Sequence, residues 1–164
     1  YDYSISPIDT REQHNMAESL VHHYTEENWP ASRWPNFSFN EMKCKETGEC
    51  SLHPAFMDRL QMIRSEIGRS LSITSGFRSQ LHSVEKKKID LGKPHGSHPR
   101  GVAADIAVAH GGEAHEILNA ALSNQRFAGV GIRLKKDGSD FIHLDCAGYL
   151  CEFHVSRPAV WVYS

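Results

Sequence analysis

Two stretches of sequence decide the fold, Ser97-His98-Pro99-Arg100-Gly101-Val102-Ala103-Ala104-Asp105-Ile106 and Phe141-Ile142-His143-Leu144-Asp145. Residues 101–108 are small, apolar or β-branched, which predicts a buried strand with Asp105 on its inward face. Residues 141–145 alternate in polarity and predict a second strand that carries His143. A carboxylate within an apolar strand is costly to bury unless a cation or a hydrogen-bond donor compensates it. If the two strands are neighbours, we expect His98, Asp105 and His143 to converge.

Two imidazoles and one carboxylate are the donor set of an open zinc site. Catalytic zinc has three protein ligands and keeps its fourth position for water, whereas structural zinc has four, usually thiolate-rich, ligands. The set therefore indicates hydrolysis by a zinc enzyme. Spacing alone leaves an alternative, in which Asp105 is a salt-bridged core acid and the histidines are ordinary surface residues of a chain that contains 11.

Further motifs accompany these stretches, namely Ser75-Gly76-Phe77-Arg78-Ser79 before them, Gly129-Val130-Gly131-Ile132 between them and Trp161 after them. In this order, from about residue 36 to residue 164, they resemble the M15 family of zinc D-Ala-D-Ala carboxypeptidases and related peptidoglycan peptidases. The resemblance implies that His98, Asp105 and His143 bind Zn²⁺.

The resemblance also implies the substrate-binding residues. Arg78 would bind the substrate and neutralise the charge that develops on the attacked carbonyl oxygen; the alternative is a surface turn residue after a strand over residues 71–74. Ser97, Asp145 and Trp161 would contribute to substrate binding. Asp145 alternatively orients a ligating histidine or holds Arg78, and Trp161 is alternatively a core or edge-strand residue.

Asp140 is the candidate general base. Several branches of the family have an acidic residue three positions before the last histidine ligand, where it takes a proton from the attacking water and passes it to the leaving amine. Another branch has His-x-His, and this chain has Phe141 in place of the first of those histidines. Residues 135–140 also have the composition of a hairpin turn, so Asp140 is alternatively a solvated turn acid.

The pattern of elements predicts an α+β fold. A helix is expected over residues 54–67, with proline in its first turn and Gly68 just after its end, and another over residues 113–123. Residues 80–92 form a polar helix or loop, in which the run of residues 85–88 (Glu-Lys-Lys-Lys) indicates a solvated helix face. Helices then pack against a mainly antiparallel sheet, and the resemblance implies a Hedgehog/D-Ala-D-Ala-peptidase-like architecture.

Two segments are expected along the chain. Residues 1–36 would form an N-terminal helix, from Asp9 or Thr10 to about Glu27, and an extended connector whose tryptophans pack on the domain. Residues 37–164 would form the M15-like zinc peptidase domain. The N-terminal helix is either a simple packing element or an arm that attaches the protein to a larger assembly such as a phage particle.

Composition excludes several classes of protein. The formal net charge of −2 provides no broad basic surface for nucleic acid, and no apolar stretch approaches the roughly 20 residues of a transmembrane helix. The four cysteines form two close pairs in sequence, Cys44 with Cys50 and Cys146 with Cys151. Neither pair has the CxxC spacing of zinc ribbons, so local disulfides or free thiols are expected.

These observations predict a zinc metallopeptidase that acts on peptidoglycan stem peptides next to D-alanine, as a D,D-carboxypeptidase or an endopeptidase. Such an enzyme would be extracytoplasmic, in the periplasm or cell wall, or phage-associated. The alternative is a non-catalytic cell-wall-binding or virion structural module that keeps the zinc fold, as the Hedgehog signalling domain does without peptidase activity.

Overall fold

The computed structural model describes residues 20–135 and 139–163. In chain order the elements are β1 (His22–His23), α1 (Phe39–Met42), β2 (Ser51–Leu52), α2 (Pro54–Ile67), β3 (Ser72–Ser75), α3 (Ser83–Asp90), β4 (Ala103–Ala107), α4 (Gly111–Leu122), β5 (Gly129–Arg133), β6 (Phe141–Asp145) and β7 (Ala159–Val162). Short 3₁₀ turns cover His98–Arg100 and Ser123–Gln125. This α+β arrangement confirms the predicted fold class.

A five-stranded sheet in the order β3-β4-β6-β5-β7 forms the centre of the molecule. The first three pairings are antiparallel, and β5 pairs with β7 in parallel. The sheet is therefore mixed, which corrects the prediction of a mainly antiparallel sheet. The physical reason is that β4 and β5 occupy both edges of β6, so the chain leaving β6 cannot pair with β6 on its return; it adds instead at the edge of the sheet, beside β5 and parallel to it.

The predicted helix over residues 54–67 matches α2 at both ends. The side chain of His53 accepts a hydrogen bond from the amide of Ala55, proline occupies the first turn, and Gly68 ends the helix in the left-handed region at φ 74°. Helix α4 begins at Gly111, earlier than the predicted residue 113, because the ring of His110 caps the amide of Glu113. Both helices bury apolar side chains in the core.

Residues 20–36 differ from the predicted helix and extended connector. Strand β1 pairs with β2, and the amide of Tyr24 donates to the carbonyl of Cys50 at 2.8 Å, so these backbone groups bond to distant residues instead of forming helical turns. The connector is a series of turns in which the carbonyl of Pro30 accepts from the amide of Trp34. Trp34 is fully buried, as the packing prediction requires. The first part of the predicted helix lies outside the described residues.

All four cysteines are free thiols, and three of them are buried. Burial raises the pKa of Cys50 and Cys146 to about 12, so both are protonated at neutral pH. In the described part of the chain, no helix has the length and apolar character that crossing a bilayer requires.

Candidate active site

His98, Asp105 and His143 converge at the middle of the sheet. Strands β4 and β6 are neighbours, and their register places Asp105 directly opposite His143. The Nδ1 atom of His143 is 2.7 Å from Asp105 Oδ1, and the Nε2 atom of His98 is 3.2 Å from the same oxygen. All three side chains are buried. One candidate ligand atom from each residue lies within 4.8 Å of the other two.

Neighbouring acceptors fix which nitrogen each histidine offers. His98 Nδ1 is 2.7 Å from the carbonyl of Gly76, which only accepts, so this nitrogen carries the hydrogen and Nε2 keeps its lone pair. His143 lies between two carboxylates, with Nε2 3.1 Å from Asp145 Oδ2 and Nδ1 2.7 Å from Asp105 Oδ1, so a hydrogen on Nε2 that Asp145 accepts leaves the lone pair of Nδ1 on the Asp105 side. The two free nitrogens face Asp105. Ligating histidines usually donate their second N–H to a carbonyl or carboxylate in this way.

The pKa values of the three groups are displaced by burial and by one another. Burial lowers the pKa of His98, and attraction to Asp105 only partly opposes this. Burial favours the neutral form of Asp105, but the two histidines outweigh it and hold the pKa of Asp105 below its ordinary value. Burial also opposes protonation of His143, yet its hydrogen bonds to Asp105 and Asp145 raise its pKa.

The donor set fits a divalent metal. Two imidazole nitrogens and a carboxylate oxygen lie within 4.8 Å of one another, and a proton shared with Asp105 satisfies only one of the two nitrogens at a time. A Zn²⁺ ion would satisfy all three groups, and three protein ligands leave the position that catalytic zinc needs for water or substrate.

The cluster opens into a cavity of about 540 Å³. Three cationic side chains, those of Arg78, Lys88 and Arg157, line it. Four aromatic side chains also line it, and together they form the aromatic wall, which comprises Phe141, Phe153, Trp161 and Tyr163. Among the described residues that line the cavity, Asp105 is the only carboxylate. The cavity therefore combines cationic and aromatic side chains around the candidate metal ligands.

Arg78 lies beside the ligands, after β3. Its Nη2 atom donates to Ser75 Oγ at 2.9 Å and is 3.5 Å from Asp105 Oδ2, while Nη1 is 3.5 Å from Glu85 Oε1. The guanidinium thus lines the cavity next to the candidate metal ligands. The structure brings Arg78 and the three ligands together, as expected from the motifs.

Asp145 lies behind His143, not on the cavity wall. It is fully buried and accepts hydrogen bonds from the amide of Ala147 and from the guanidinium of Arg157. Burial opposes its ionisation, but His143 and Arg157 lower its pKa. Of the roles considered for Asp145, the structure shows contact with a ligating histidine; substrate contact stays a prediction. Ser97 lines the cavity, with Oγ 3.3 Å from His143 Nε2.

Trp161 belongs to the edge strand β7 and packs over the site. Its ring centroid is 5.5 Å from that of His143. The pairing partner of Trp161 on β5 is Gly131, where a Cβ atom would lie 2.7 Å from the Trp161 and Tyr163 rings. Glycine therefore allows both rings to lie close to the backbone of β5.

Asp140 is not brought to the metal ligands. Its carboxylate accepts a hydrogen bond from the amide of Lys135, its carbonyl accepts from the amide of Val108 at 3.1 Å, and it does not line the cavity. These are contacts of a turn acid. The role of Asp140 as a general base stays a prediction.

Glu85 and Arg157 lie at the site although no motif points to them. The run of residues 85–88 predicts a solvated helix face, but the side chain of Glu85 is fully buried and contacts Lys88 Nζ at 2.6 Å and His95 Nδ1 at 3.3 Å. It is buried because α3 packs its Glu85 side against the cavity, where Arg78 and Lys88 compensate the charge. Arg157 belongs to no motif. The only nearby signal is Pro158, which indicates a loop just before the chain returns to the sheet as β7.

A protein-family model described as Peptidase M15 matches residues 35–145. The match includes Arg78 and all three candidate metal ligands, and it ends at Asp145. Neither a curated protein nor a solved structure matches the chain. A Hedgehog-like or D-Ala-D-Ala-peptidase-like architecture therefore stays a prediction.

Proposed function

Because this chain belongs to the M15 peptidase family, we propose that it is a zinc peptidase that hydrolyses peptidoglycan stem peptides next to D-alanine. One observation carries the proposal: two imidazole lone pairs and a carboxylate converge beside a guanidinium at the wall of an open cavity. This substrate would place the protein outside the cytoplasmic membrane or in a phage particle.

Each part of the proposed reaction is assigned to particular residues of the chain. His98 Nε2, Asp105 and His143 Nδ1 would hold Zn²⁺, which supplies a Lewis acid that polarises the scissile carbonyl and acidifies the attacking water. Arg78 would donate hydrogen bonds to the carbonyl oxygen as negative charge develops there. Ser75 and Glu85 hold the guanidinium in place before the substrate binds.

Proton transfer requires a base, and we propose Asp140 for it. To act, its carboxylate would have to leave the amide of Lys135 and reach the cavity. Asparagine at this position still accepts that amide hydrogen bond but cannot take a proton. The Asp140→Asn variant therefore separates the turn role from the catalytic role.

A non-catalytic module that binds the cell wall or forms part of a virion is the second candidate. The observation that favours it is the lining of the cavity, in which no described carboxylate other than Asp105 is present, and Phe141 occupies the place of the first histidine of the His-x-His pattern. A module of this kind would bind zinc and stem peptides without turnover.

Zinc content together with cleavage of purified peptidoglycan distinguishes the two candidates. We expect bound zinc and chelator-sensitive products from the wild type, with loss of turnover in Asp140→Asn and retention in Asp90→Asn, a change at an exposed acid on α3. Mass spectrometry then identifies the bond: free D-alanine indicates a carboxypeptidase, and separated cross-linked peptides an endopeptidase. Zinc bound without any product from the wild type would support the binding module.

A further inference from the structure

We propose that Arg157 is a positioning residue for the metal centre, because it holds Asp145 against His143 and thereby fixes Nδ1 of His143 as the ligand atom. The inference rests on the metal site of the proposed function but not on its peptidase activity. It assigns a role to a residue that lies beyond the segment matched by the family model, which ends at residue 145.

Arg157 contacts both oxygens of Asp145. Its Nη2 atom is 2.9 Å from Oδ2, and its Nε atom is 3.3 Å from Oδ1. The Asp145 side chain is fully buried, and the Arg157 side chain is 7% exposed. Two-point contacts of this kind fix orientation as well as charge. Water cannot replace the guanidinium here without a rearrangement.

The orientation of Asp145 decides the tautomer of His143. An ionised carboxylate only accepts hydrogen bonds, so Asp145 Oδ2, 3.1 Å from His143 Nε2, favours a hydrogen on that nitrogen, in competition with Asp105 Oδ1, which lies 2.7 Å from Nδ1. The second neighbour of this nitrogen is Ser97 Oγ at 3.3 Å, and a hydroxyl either donates or accepts. Without a fixed carboxylate beside Nε2, Ser97 could donate to Nε2 and Asp105 could accept from Nδ1, and the tautomer with hydrogen on Nδ1 cannot bind a metal through that atom.

Arg157 is itself held by its surroundings. Its guanidinium carbon lies 4.9 Å from the ring centroids of both Phe153 and Trp161. The chain passes closely at Gly148, where a Cβ would lie 2.8 Å from that of Arg157. A guanidinium between two aromatic faces loses little freedom when it pairs with a carboxylate. Shape and charge at residue 157 therefore both contribute to the position of Asp145.

The test compares Arg157→Met and Arg157→Lys with the wild type. Zinc affinity is measured by competition with a chromophoric chelator, and the tautomer of His143 in the metal-free protein by ¹⁵N NMR in alkaline solution, where the imidazole is neutral. We expect hydrogen on Nε2 in the wild type. Arg157→Met should mix the tautomers and weaken zinc binding about 10–100-fold, and Arg157→Lys should lie between, because an ammonium lacks the planar fork.

Arg33→Met is the matched control. Arg33 also pairs with a carboxylate at two points, Asp58 at 2.7 and 2.9 Å, and packs on a tryptophan, but the Arg33–Asp58 pair does not line the cavity. Its zinc affinity should equal that of the wild type. Hydrogen on Nδ1 of His143 in the wild type would overturn the inference without any variant, as would an Arg157→Met protein with unchanged tautomer and zinc affinity. Zinc binding without peptide cleavage would contradict only the proposed function.

Discussion

A single methyl group added at Gly131 would test how the aromatic wall is packed on the sheet. Gly131 pairs with His143 on one side and with Trp161 on the other. A Cβ atom there would lie 2.7 Å from Cε2 of both Trp161 and Tyr163, and 2.8 Å from Cζ2 of Trp161. Ordinary contacts of a Cβ atom begin at 3.4 Å. Both rings must therefore move away from β5 by about 0.7 Å, the difference between 3.4 and 2.7 Å, to restore ordinary packing.

Overpacking of this kind costs about 1–3 kcal/mol of unfolding free energy. For a chain of this length, about 2–4 °C of unfolding temperature corresponds to each kcal/mol. We therefore expect Gly131→Ala to unfold roughly 2–12 °C below the wild type. The displaced Trp161 ring also leaves its position against His143, so peptide binding should weaken.

Thermal unfolding followed by circular dichroism measures the effect. Gly111→Ala is the matched control, because a Cβ at this position in the first turn of α4 meets nothing within 4 Å. Alanine is also the better helix former there, so the control should not be destabilised. Equal unfolding temperatures for the two variants would refute the reasoning, since they would show that the rings adjust without cost.

Three further results are expected. Chelation should lower the unfolding temperature, because zinc at 100 times its Kd stabilises the native state by about 2.7 kcal/mol; calorimetry with and without chelator checks this, and an unchanged transition contradicts a metal site. Arg78→Met should lower kcat about 10²–10³-fold while Arg33→Met does not, which steady-state kinetics would measure. Glu85→Gln removes the buried charge that pairs with Lys88 and should cost about 1–3 kcal/mol in urea unfolding, because Lys88 is one-third exposed and stays hydrated without its partner. Burial opposes ionisation of Glu85, but Lys88 lowers its pKa below the ordinary 4.5, so its stabilisation is complete above pH 4.5 and is lost as the pH falls through the folded value. The difference between wild type and Glu85→Gln should shrink over that acidic range; a constant difference would argue against a charge effect.

Local signals account for what the sequence predicted well. Helix α2 has proline in its first turn, glycine after its last and an apolar stripe between them, and all three signals agree. Strand β6 matches the predicted residues 141–145, because the alternation of apolar and polar side chains over these five residues allows only one assignment of the two faces. The prediction that the candidate metal ligands converge required one non-local assumption, that β4 and β6 are neighbours. The pairing of Asp105 with His143 confirms this assumption.

Non-local contacts account for the rest. Residues 22–24 could equally form a helix, but their backbone hydrogen bonds go to residues 50–52, far along the chain. The burial of Glu85 depends on Arg78 and Gly96, which lie outside its helix. No periodicity of a single segment encodes such partners. The parallel pairing of β5 and β7 is also non-local, because it depends on β4 and β5 already occupying both edges of β6.

The site is built from two parts of the chain, one that the family model matches and one that follows the matched segment. Residues 35–145 match the family model and supply the ligands and Arg78, whereas residues after 145 supply Arg157 and three of the four aromatic side chains of the wall. Trp161 contacts both the ring of His143 and the guanidinium of Arg157. A substitution at Trp161 that reshapes the cavity for another peptide therefore also disturbs the support of a metal ligand. Substrate preference and metal affinity should consequently change together when this wall is altered.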